Sequence, residues 1–319
     1  MVKQQQLKPT KKLIFPTDKL SKEVFNVTIP KNKDDFVNTL IEDKRLKLTT
    51  QYYLEPMKGD LNQFDRAIFC VACSEYLAGN TVFTINRLFK RIGGGVNLTD
   101  KMKKIVSDSV NKLACTRFIA DVSKLSERLP KSDKTKFTFK NYLLPVKSVE
   151  FELNGMLVDT SFEFLDMPPL LEIAELKKQF IPCDVKLLDI PTLKTTEQTV
   201  KISSYLLERV LMIIGSHQKH PAHIVGKSKD NKPICKKATA LEKKILLDSL
   251  YTQCGLADAD KGKKRDARNV IKKVMEHFQA LDLISDWHFE EKDGNKFYAI
   301  IFDWKQHRVI TAFSDDKLA

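Results

Sequence analysis

The sequence is poor in the residues that mark several large classes of protein. Only 11 glycines, 12 prolines and six cysteines occur among its 319 residues, which excludes a collagen-like chain and a disulfide-rich scaffold. The cysteines are scattered, which favours reduced thiols and a cytoplasmic protein. No uncharged apolar run approaches the roughly 20 residues that a membrane helix needs. The first residues lack the apolar segment of a secretion signal, so we expect neither secretion nor membrane insertion.

Motifs that indicate catalysis are absent or incomplete. The glycine run at residues 93–95 lacks the Gly-Lys-Ser/Thr ending of a nucleotide-binding P-loop. Cys70 and Cys73 lie in an apolar segment without a second cysteine pair, and this is more typical of a core than of a zinc site. We therefore expect no catalytic residues, no metal site, no cofactor and no enzymatic activity.

A histidine cluster at residues 217–223 is the one feature that suggests a nuclease. Rolling-circle nucleases place two metal-binding histidines with one apolar residue between them, near a tyrosine nucleophile. Here two residues separate His220 from His223, and the surrounding loop is rich in lysine. Contact with phosphates is therefore the favoured interpretation of this loop, and a nicking nuclease is the least favoured alternative.

Positive charge is in excess, and it is concentrated in two blocks. The chain has 54 Lys and Arg against 41 Asp and Glu, a net charge of +13. Residues 84–117 contain eight basic and two acidic residues, and residues 217–275 contain fifteen and six. Between them, residues 148–200 contain four basic and ten acidic residues. Two basic modules flanking an acidic segment are therefore predicted.

The first basic module has the sequence pattern of a winged helix. Apolar residues recur at three-four spacing after Asn62, Thr84 and Thr99, and each of these residues is a typical helix cap. Residues 117–122 and 136–140 alternate between polar and apolar, and a polar segment separates them, so a hairpin is predicted. Three helices followed by a hairpin are the order of a winged helix.

The same order is predicted a second time downstream. Helices are expected at residues 203–214, at 240–253 with Thr239 as the cap, and at 263–281. The Asp-Gly turn within residues 287–302 predicts a tight hairpin. The fold class is therefore α+β, with two tandem winged-helix domains.

Four segments follow from these patterns. We expect a basic N-terminal arm (1–47), a first winged helix (48–147), an acidic connector of strands and a linking helix (148–194), and a second winged helix (195–319). For the connector strands, the favoured alternative is that they complete the sheet of the first domain.

Geometry and charge together indicate binding to double-stranded DNA. The third helix of a winged helix fits the major groove, where Arg recognises guanine, Asn recognises adenine and Lys neutralises phosphates. Both predicted third helices are basic on the outside, and the second has more residues that can read bases. The alternative interpretation is that the charged outer faces of these helices are only solvated. The candidate contacts are Lys101, Lys103, Lys104, Asn111, Lys261, Lys263, Lys264, Arg265, Arg268, Asn269, Lys272 and Lys292.

This arrangement resembles the plasmid replication initiators of the initiator Rep family over residues 48–305. Initiator-like proteins of Gram-positive mobile elements are similar in particular motifs. These are Leu61-Asn-Gln-Phe-Asp-Arg-Ala-Ile-Phe, Gly79-Asn-Thr-Val-Phe-Thr, Leu98-Thr-Asp, Asn111-Lys-Leu and Thr116-Arg-Phe-Ile-Ala-Asp-Val. The resemblance implies two winged helices that bind origin repeats, a host helicase or other replication protein as partner, and a homodimeric form. A winged-helix transcription regulator is the alternative.

Overall fold

A computed structural model shows an α+β protein whose helices are accompanied by small antiparallel sheets. The chain divides into two compact units, residues 1–204 (unit 1) and residues 205–319 (unit 2). The structure describes residues 12–26, 37–43, 48–55, 60–94, 98–121, 138–153, 156–219, 223–227, 233–236 and 241–305.

Unit 1 contains an alternating series of helices and strands and ends within a long helix. In chain order these are β1 (Lys12–Pro16), α1 (Lys19–Glu23), β2 (Val37–Asp43), β3 (Leu48–Glu55), α2 (Gln63–Leu77), β4 (Val82–Thr84), α3 (Ile85–Arg91), α4 (Asp100–Cys115), β5 (Arg117–Asp121), β6 (Thr138–Tyr142), β7 (Val146–Leu153), β8 (Met156–Phe164), α5 (Pro169–Leu176), β9 (Phe180–Asp184) and the start of α6 (Glu197–Lys219).

The three helices predicted for the first module are confirmed, and side-chain caps explain where they begin. Asn62 and Asp65 form a capping box at the start of α2. Thr84 accepts a hydrogen bond from the backbone of Arg87 in α3, and Thr99 caps α4 in the same way. Gly79 follows α2 with a φ of 77°, a left-handed conformation that favours glycine.

The wing of the first module differs from the predicted one. Strands β5 and β6 do pair as a hairpin, but they belong to a sheet of order β2-β3-β5-β6. The strand before α3 pairs instead with β8, in a sheet of order β4-β8-β7. The Phe83 and Phe162 rings stack there at 5.5 Å, and both are buried. Burial of these rings selects β7 and β8 as the wing, so the predicted boundary at residue 147 is wrong and the connector strands complete the first domain.

The N-terminal region is not a separate arm over its described part. Strand β1 pairs with β9. Arg66 of α2 donates hydrogen bonds to the carbonyls of Ser21 and Pro16, at 2.7 and 2.9 Å, and Ser74 accepts one from the backbone of Ile14. These bonds and the buried residues of β1 attach the segment to α2. Residues 1–11, 27–36 and 44–47 of the predicted arm lie outside the described residues.

Unit 2 repeats the winged-helix order with one additional hairpin. It contains the rest of α6, β10 (His223–Lys227), β11 (Pro233–Lys236), β12 (Lys244–Leu246), α7 (Leu247–Gln253), α8 (Lys261–Ala280), β13 (Asp286–Lys292) and β14 (Asn295–Asp303).

The limits of several predicted elements in unit 2 are corrected. The first helix, α6, extends beyond residues 203–214 at both ends, and the units divide within it, at 204/205 rather than at 194/195. The second helix begins at Leu247, because residues 244–246 pair with β14 as a strand. Thr239, its predicted cap, lies outside the described residues. The third helix begins at Lys261, where Asp260 is the cap.

Each unit contains a three-stranded sheet, and the two sheets have the same topology. Strands β12, β14 and β13 neighbour each other in the same order as β4, β8 and β7. In each unit the first of these strands leads directly into the second helix. In unit 2 the wing turns at Asp293 and Gly294, whose φ values of 50° and 76° fit the predicted tight Asp-Gly turn.

Candidate nucleic-acid interface

Helix α8 is fixed by its cap and by one apolar face. The carboxylate of Asp260 accepts a hydrogen bond from the backbone of Lys263 at 2.9 Å, and this bond lowers the pKa of the Asp260 carboxyl below its usual value. Ala267, Ile271 and Phe278 are buried along the inner face. The opposite face of the helix is consequently left in contact with solvent.

Four basic residues form a stripe along one side of α8. Lys261, Arg265, Arg268 and Lys272 follow one another at spacings of four, three and four residues, so they share one side of the helix. Arg268 is half-buried and the other three are exposed. We call these four residues the α8 stripe. A row of cations from Lys261 to Lys272 on one side of a helix suits the phosphates and base edges of a major groove.

The remaining predicted contacts on α8 are divided between solvent and the protein. Lys263 and Asn269 are exposed. Lys264 turns back, and its Nζ donates to the carbonyl of Ala257 at 2.8 Å and lies 5.6 Å from the ring centre of Tyr251. Lys264 therefore supports the segment before the helix, and it is less available for DNA than the α8 stripe.

Acidic neighbours of the α8 stripe are exposed and weakly coupled to it. An oxygen of Asp266 lies 3.9 Å from Nε of Arg265, and one of Glu276 lies 3.8 Å from Nζ of Lys272. All four side chains are at least half exposed. Pairs of this kind are worth about 0–1 kcal/mol in water, so a phosphate can replace the carboxylate at either cation.

The wing of unit 2 lies beside the stripe. Its aromatic rings lie under two cations, one from the α8 stripe and one from the wing itself. The guanidinium carbon of Arg268 is 4.4 Å from the ring centre of Phe297, which is 39% exposed. Nζ of Lys292, near the turn, is 4.9 Å from the ring centre of Tyr298. The third helix and the wing thus form one basic surface with aromatic support.

In unit 1, the third helix has a smaller exposed basic surface. Lys101, Lys103 and Lys104 are exposed on α4, and Nζ of Lys103 lies 3.5 Å from Asp100. Asn111 is half-buried, and its amide donates to Ser107 at 3.4 Å. The structure thus brings three of the four predicted residues of this helix to the surface, near its first turns.

Other cations of unit 1 bind carboxylates inside the protein. Nε of Arg87 donates to Glu75 at 2.6 Å, and Nε of Arg91 lies 3.5 Å from the other carboxylate oxygen. Burial lowers the pKa of Arg91, and Glu75 opposes this shift. Nζ of Lys112 likewise donates to the buried Asp65 at 2.8 Å. These cations hold α2, α3 and α4 together and are already bound to carboxylates within the protein.

Residues considered for metal binding or catalysis are engaged elsewhere. Cys70 and Cys73 are buried, and burial raises the pKa of the Cys73 thiol well above its usual value. Tyr251 is only 6% exposed in α7. Nε2 of His217 is 2.8 Å from the carbonyl oxygen of Leu241, and His220 lies outside the described residues. Within the described ranges, no three His, Cys, Asp or Glu side chains are grouped so that they could hold a metal ion.

Among the helices that the structure describes, none combines the length and the apolar character needed to cross a membrane.

Sequence reasoning missed the aromatic residues of the wing. Phe297 and Tyr298 lie three and four residues after Gly294 of the Asp-Gly turn, and such a position in a winged helix is close to the third helix. Their adjacency to this turn is the signal that could have identified them. Nothing comparable marks Glu75, because the sequence of α2 does not reveal which cations bind its carboxylate.

No protein-family model and no curated protein sequence matches the chain. Two crystal structures of domains 2 and 3 of RctB have a similar arrangement. One, of selenomethionine derivatives, is matched with a TM-score of 0.44 and 12% identity, over 90% of this chain and 97% of that one. The other is matched with a TM-score of 0.43 and 11% identity, over 88% and 95%.

Proposed function

We propose that the chain is a double-stranded DNA-binding protein without catalytic activity, and that it initiates replication of a plasmid or mobile element by binding repeats at the origin. The observation that carries the proposal is the α8 stripe next to the wing of unit 2. Three of its cations are exposed, and the fourth lies on an exposed aromatic ring. A folded surface of this kind neutralises phosphates and offers two arginines to base edges.

The second winged helix supports an initiator over a transcription regulator. A regulator commonly joins one DNA-binding domain to a ligand-binding or dimerisation domain, whereas both units here contain the three helices and the wing. Two modules in one chain suit adjacent segments of a repeated origin site. Recruitment of a host helicase or another replication protein, and a homodimeric form, belong to the same proposal.

The absence of catalysis is also part of the proposal. A nicking nuclease needs a tyrosine that reaches the DNA backbone, and Tyr251 is almost wholly buried. Supercoiled plasmid incubated with the protein and Mg²⁺ or Mn²⁺ is expected to remain supercoiled. Nicked circles or a covalent adduct that vanish in Tyr251→Phe would overturn this part of the proposal.

Salt dependence of DNA affinity tests the proposal directly. On a random 30-bp duplex, log affinity is expected to fall linearly with log salt, with a slope that corresponds to roughly 6 to 10 phosphates. Replacing both Lys261 and Lys272 by Ala should reduce the slope by about 2. Lys194→Ala removes an exposed lysine outside the winged-helix elements and serves as the matched control. Absence of binding, or a slope near zero, would overturn DNA binding.

A comparison of DNA sequences separates the initiator from the regulator. Tandem direct repeats spaced by whole helical turns beside the gene support an initiator, and a single promoter palindrome supports a regulator. Footprinting on that DNA should protect each repeat.

A further inference from the structure

We infer that Phe297 of the wing positions Arg268 of α8 for reading a base pair, so that the wing sets sequence selectivity at a base that it does not itself contact. The inference rests on the proposed function, because it assigns a role within the same DNA-binding surface. It concerns a positioning residue, whose effect on DNA is transmitted through Arg268.

The geometry brings the two side chains together from different elements. Arg268 projects from α8, and Phe297 lies near the start of β14, three residues after Gly294 of the turn. The guanidinium carbon lies 4.4 Å from the centre of the phenyl ring. A guanidinium that covers a ring face keeps its N–H donors around its edge, where they remain available to the two acceptors of a guanine.

The ring itself is held in place by its neighbours. The Phe289 ring meets Phe297 edge-on, with centres 5.4 Å apart at 89°. The Trp287 ring meets Phe289 in the same way, at 5.5 Å and 84°. Edge-to-face pairs of this kind fix ring orientation. Arg268 therefore rests on a supported surface.

Exposure of Phe297 also needs an explanation, and Arg268 supplies one. Phe297 is 39% exposed, whereas Ala299 and Ile300 of the same strand are fully buried. Phe297 therefore contributes little to the core of the wing. Its exposed part lies next to the helix that carries the base-reading residues. A ring in this position orders a cation at the surface.

Arg265 provides the contrast within the same helix. Its side chain is 73% exposed, and the described contact is a 3.9 Å approach to the equally exposed Asp266. Ordering a mobile arginine on DNA costs conformational entropy, and a stacked arginine has already lost part of that freedom. Arg268 is therefore expected to discriminate between bases more sharply than Arg265 does.

Selection from a random duplex library tests the inference. The probe is a double-stranded oligonucleotide with a 20-bp random core, and wild type is compared with Phe297→Leu, Phe297→Tyr, Arg268→Ala and the Phe297→Leu/Arg268→Ala double variant. Leucine keeps an apolar side chain without a ring, and tyrosine keeps the ring.

The expected loss of preference is confined to the base pairs that Arg268 reads. Phe297→Leu should lower preference about 3- to 10-fold at the base pairs whose preference Arg268→Ala also removes. The double variant should lose no more than Arg268→Ala alone, because both changes act through one contact. Phe297→Tyr should retain the preference. Tyr298→Leu, at the ring beneath Lys292, is the matched control and should weaken all sequences evenly.

Three outcomes would overturn the inference. In the first, Phe297→Leu leaves the Arg268-dependent positions unchanged. In the second, it flattens the whole motif evenly, which indicates a general structural role. In the third, the single losses add in the double variant. If wild type binds no duplex at any salt concentration, the proposed function fails first and the inference falls with it, so the two failures are distinguishable.

A measurement without DNA completes the test. The ring current of Phe297 should shift the NMR signals of the Arg268 side chain upfield in wild type and in Phe297→Tyr, and the shift should vanish in Phe297→Leu. Unchanged Arg268 signals in a Phe297→Leu variant that melts at the wild-type temperature would contradict the stacking. Circular dichroism melting of each variant shows that the comparison is made between folded proteins.

Discussion

The winged helices of units 1 and 2 share the order of their three helices and the topology of one three-stranded sheet, yet many of their cations have different surroundings. In unit 1, Glu75 is fully buried, and Arg87 and Arg91 of the second helix both approach it. In unit 2, the second helix has no lysine or arginine, and the third helix exposes most of the α8 stripe. Unit 1 uses several of its cations to join helices, whereas the third helix of unit 2 presents most of the α8 stripe at the surface.

A basic block in a sequence can therefore contain two kinds of cation. A cation matched by a buried carboxylate stabilises the fold and is already occupied, whereas a cation at the surface can exchange water for phosphate. The block at residues 84–117 contains both kinds, since Arg87, Arg91 and Lys112 bind carboxylates and Lys101 and Lys104 are exposed. Unit 2 is therefore expected to contribute most of the sequence selectivity.

The largest effect is expected from Glu75→Gln. This change removes the charge of the buried carboxylate that Arg87 and Arg91 both approach, which should destabilise unit 1 by about 3 kcal/mol. Urea unfolding measures the change. The matched control, Glu276→Gln, removes a carboxylate that is 51% exposed and should change stability by less than about 1 kcal/mol. Equal effects of the two variants would remove the distinction between the units.

Selectivity should depend mainly on the arginines of unit 2. Arg265→Ala and Arg268→Ala should each cost about 1–3 kcal/mol of discrimination against a wrong base. The ratio of affinities for a selected and a shuffled duplex measures it. If the selected and shuffled duplexes lose affinity equally, α8 contacts only the backbone and the two units do not differ in reading bases.

Much of the fold could be predicted because the signals are local. Apolar spacing and the caps Asn62, Thr84 and Thr99 determine where α2, α3 and α4 lie, and the Asp-Gly turn determines the second wing. The first wing could not be predicted in this way. Both β5 and β8 follow α4 with strand-like sequence, and the choice between them depends on Phe83 packing against Phe162, a contact between residues far apart in the chain.

The candidate site was predicted in part for the same reason. The exposed lysines and arginines of α8 can be identified from local sequence, because the helix buries its apolar face and leaves the opposite face in solvent. The partners of those cations depend on tertiary structure. Sequence could not show that Lys264 turns back to Ala257 or that Arg268 lies over Phe297.

A smaller effect is expected at the turn of the second wing. Gly294 has a φ of 76° and open space where a side chain would lie, so Gly294→Ala meets backbone strain without a clash. We expect a loss of about 1 kcal/mol in the stability of unit 2. Gly294→Asn should lose less, since asparagine tolerates this conformation. Urea unfolding followed by the fluorescence of Trp287 and Trp304, which both lie in unit 2, measures both. Equal stability of the alanine variant and wild type would contradict a strained turn.

The smallest effect on DNA is expected from the exposed lysines of unit 1, and here one helix contains its own control. Lys101→Ala and Lys104→Ala should each weaken all duplexes a few-fold and reduce the salt slope by about 1, because an exposed lysine neutralises one phosphate. Lys112→Ala on the same helix should leave the slope unchanged.

Lys112 differs because its ammonium donates to Asp65, whose side chain is 2% exposed. Its removal leaves a buried carboxylate without its cation and should lower the stability of unit 1 instead. The paired measurement of salt slope and urea midpoint therefore separates the two kinds of lysine within one helix. A reduced slope in Lys112→Ala, at unchanged stability, would show that this cation reaches DNA and that unit 1 presents more of its charge than the internal ion pairs indicate.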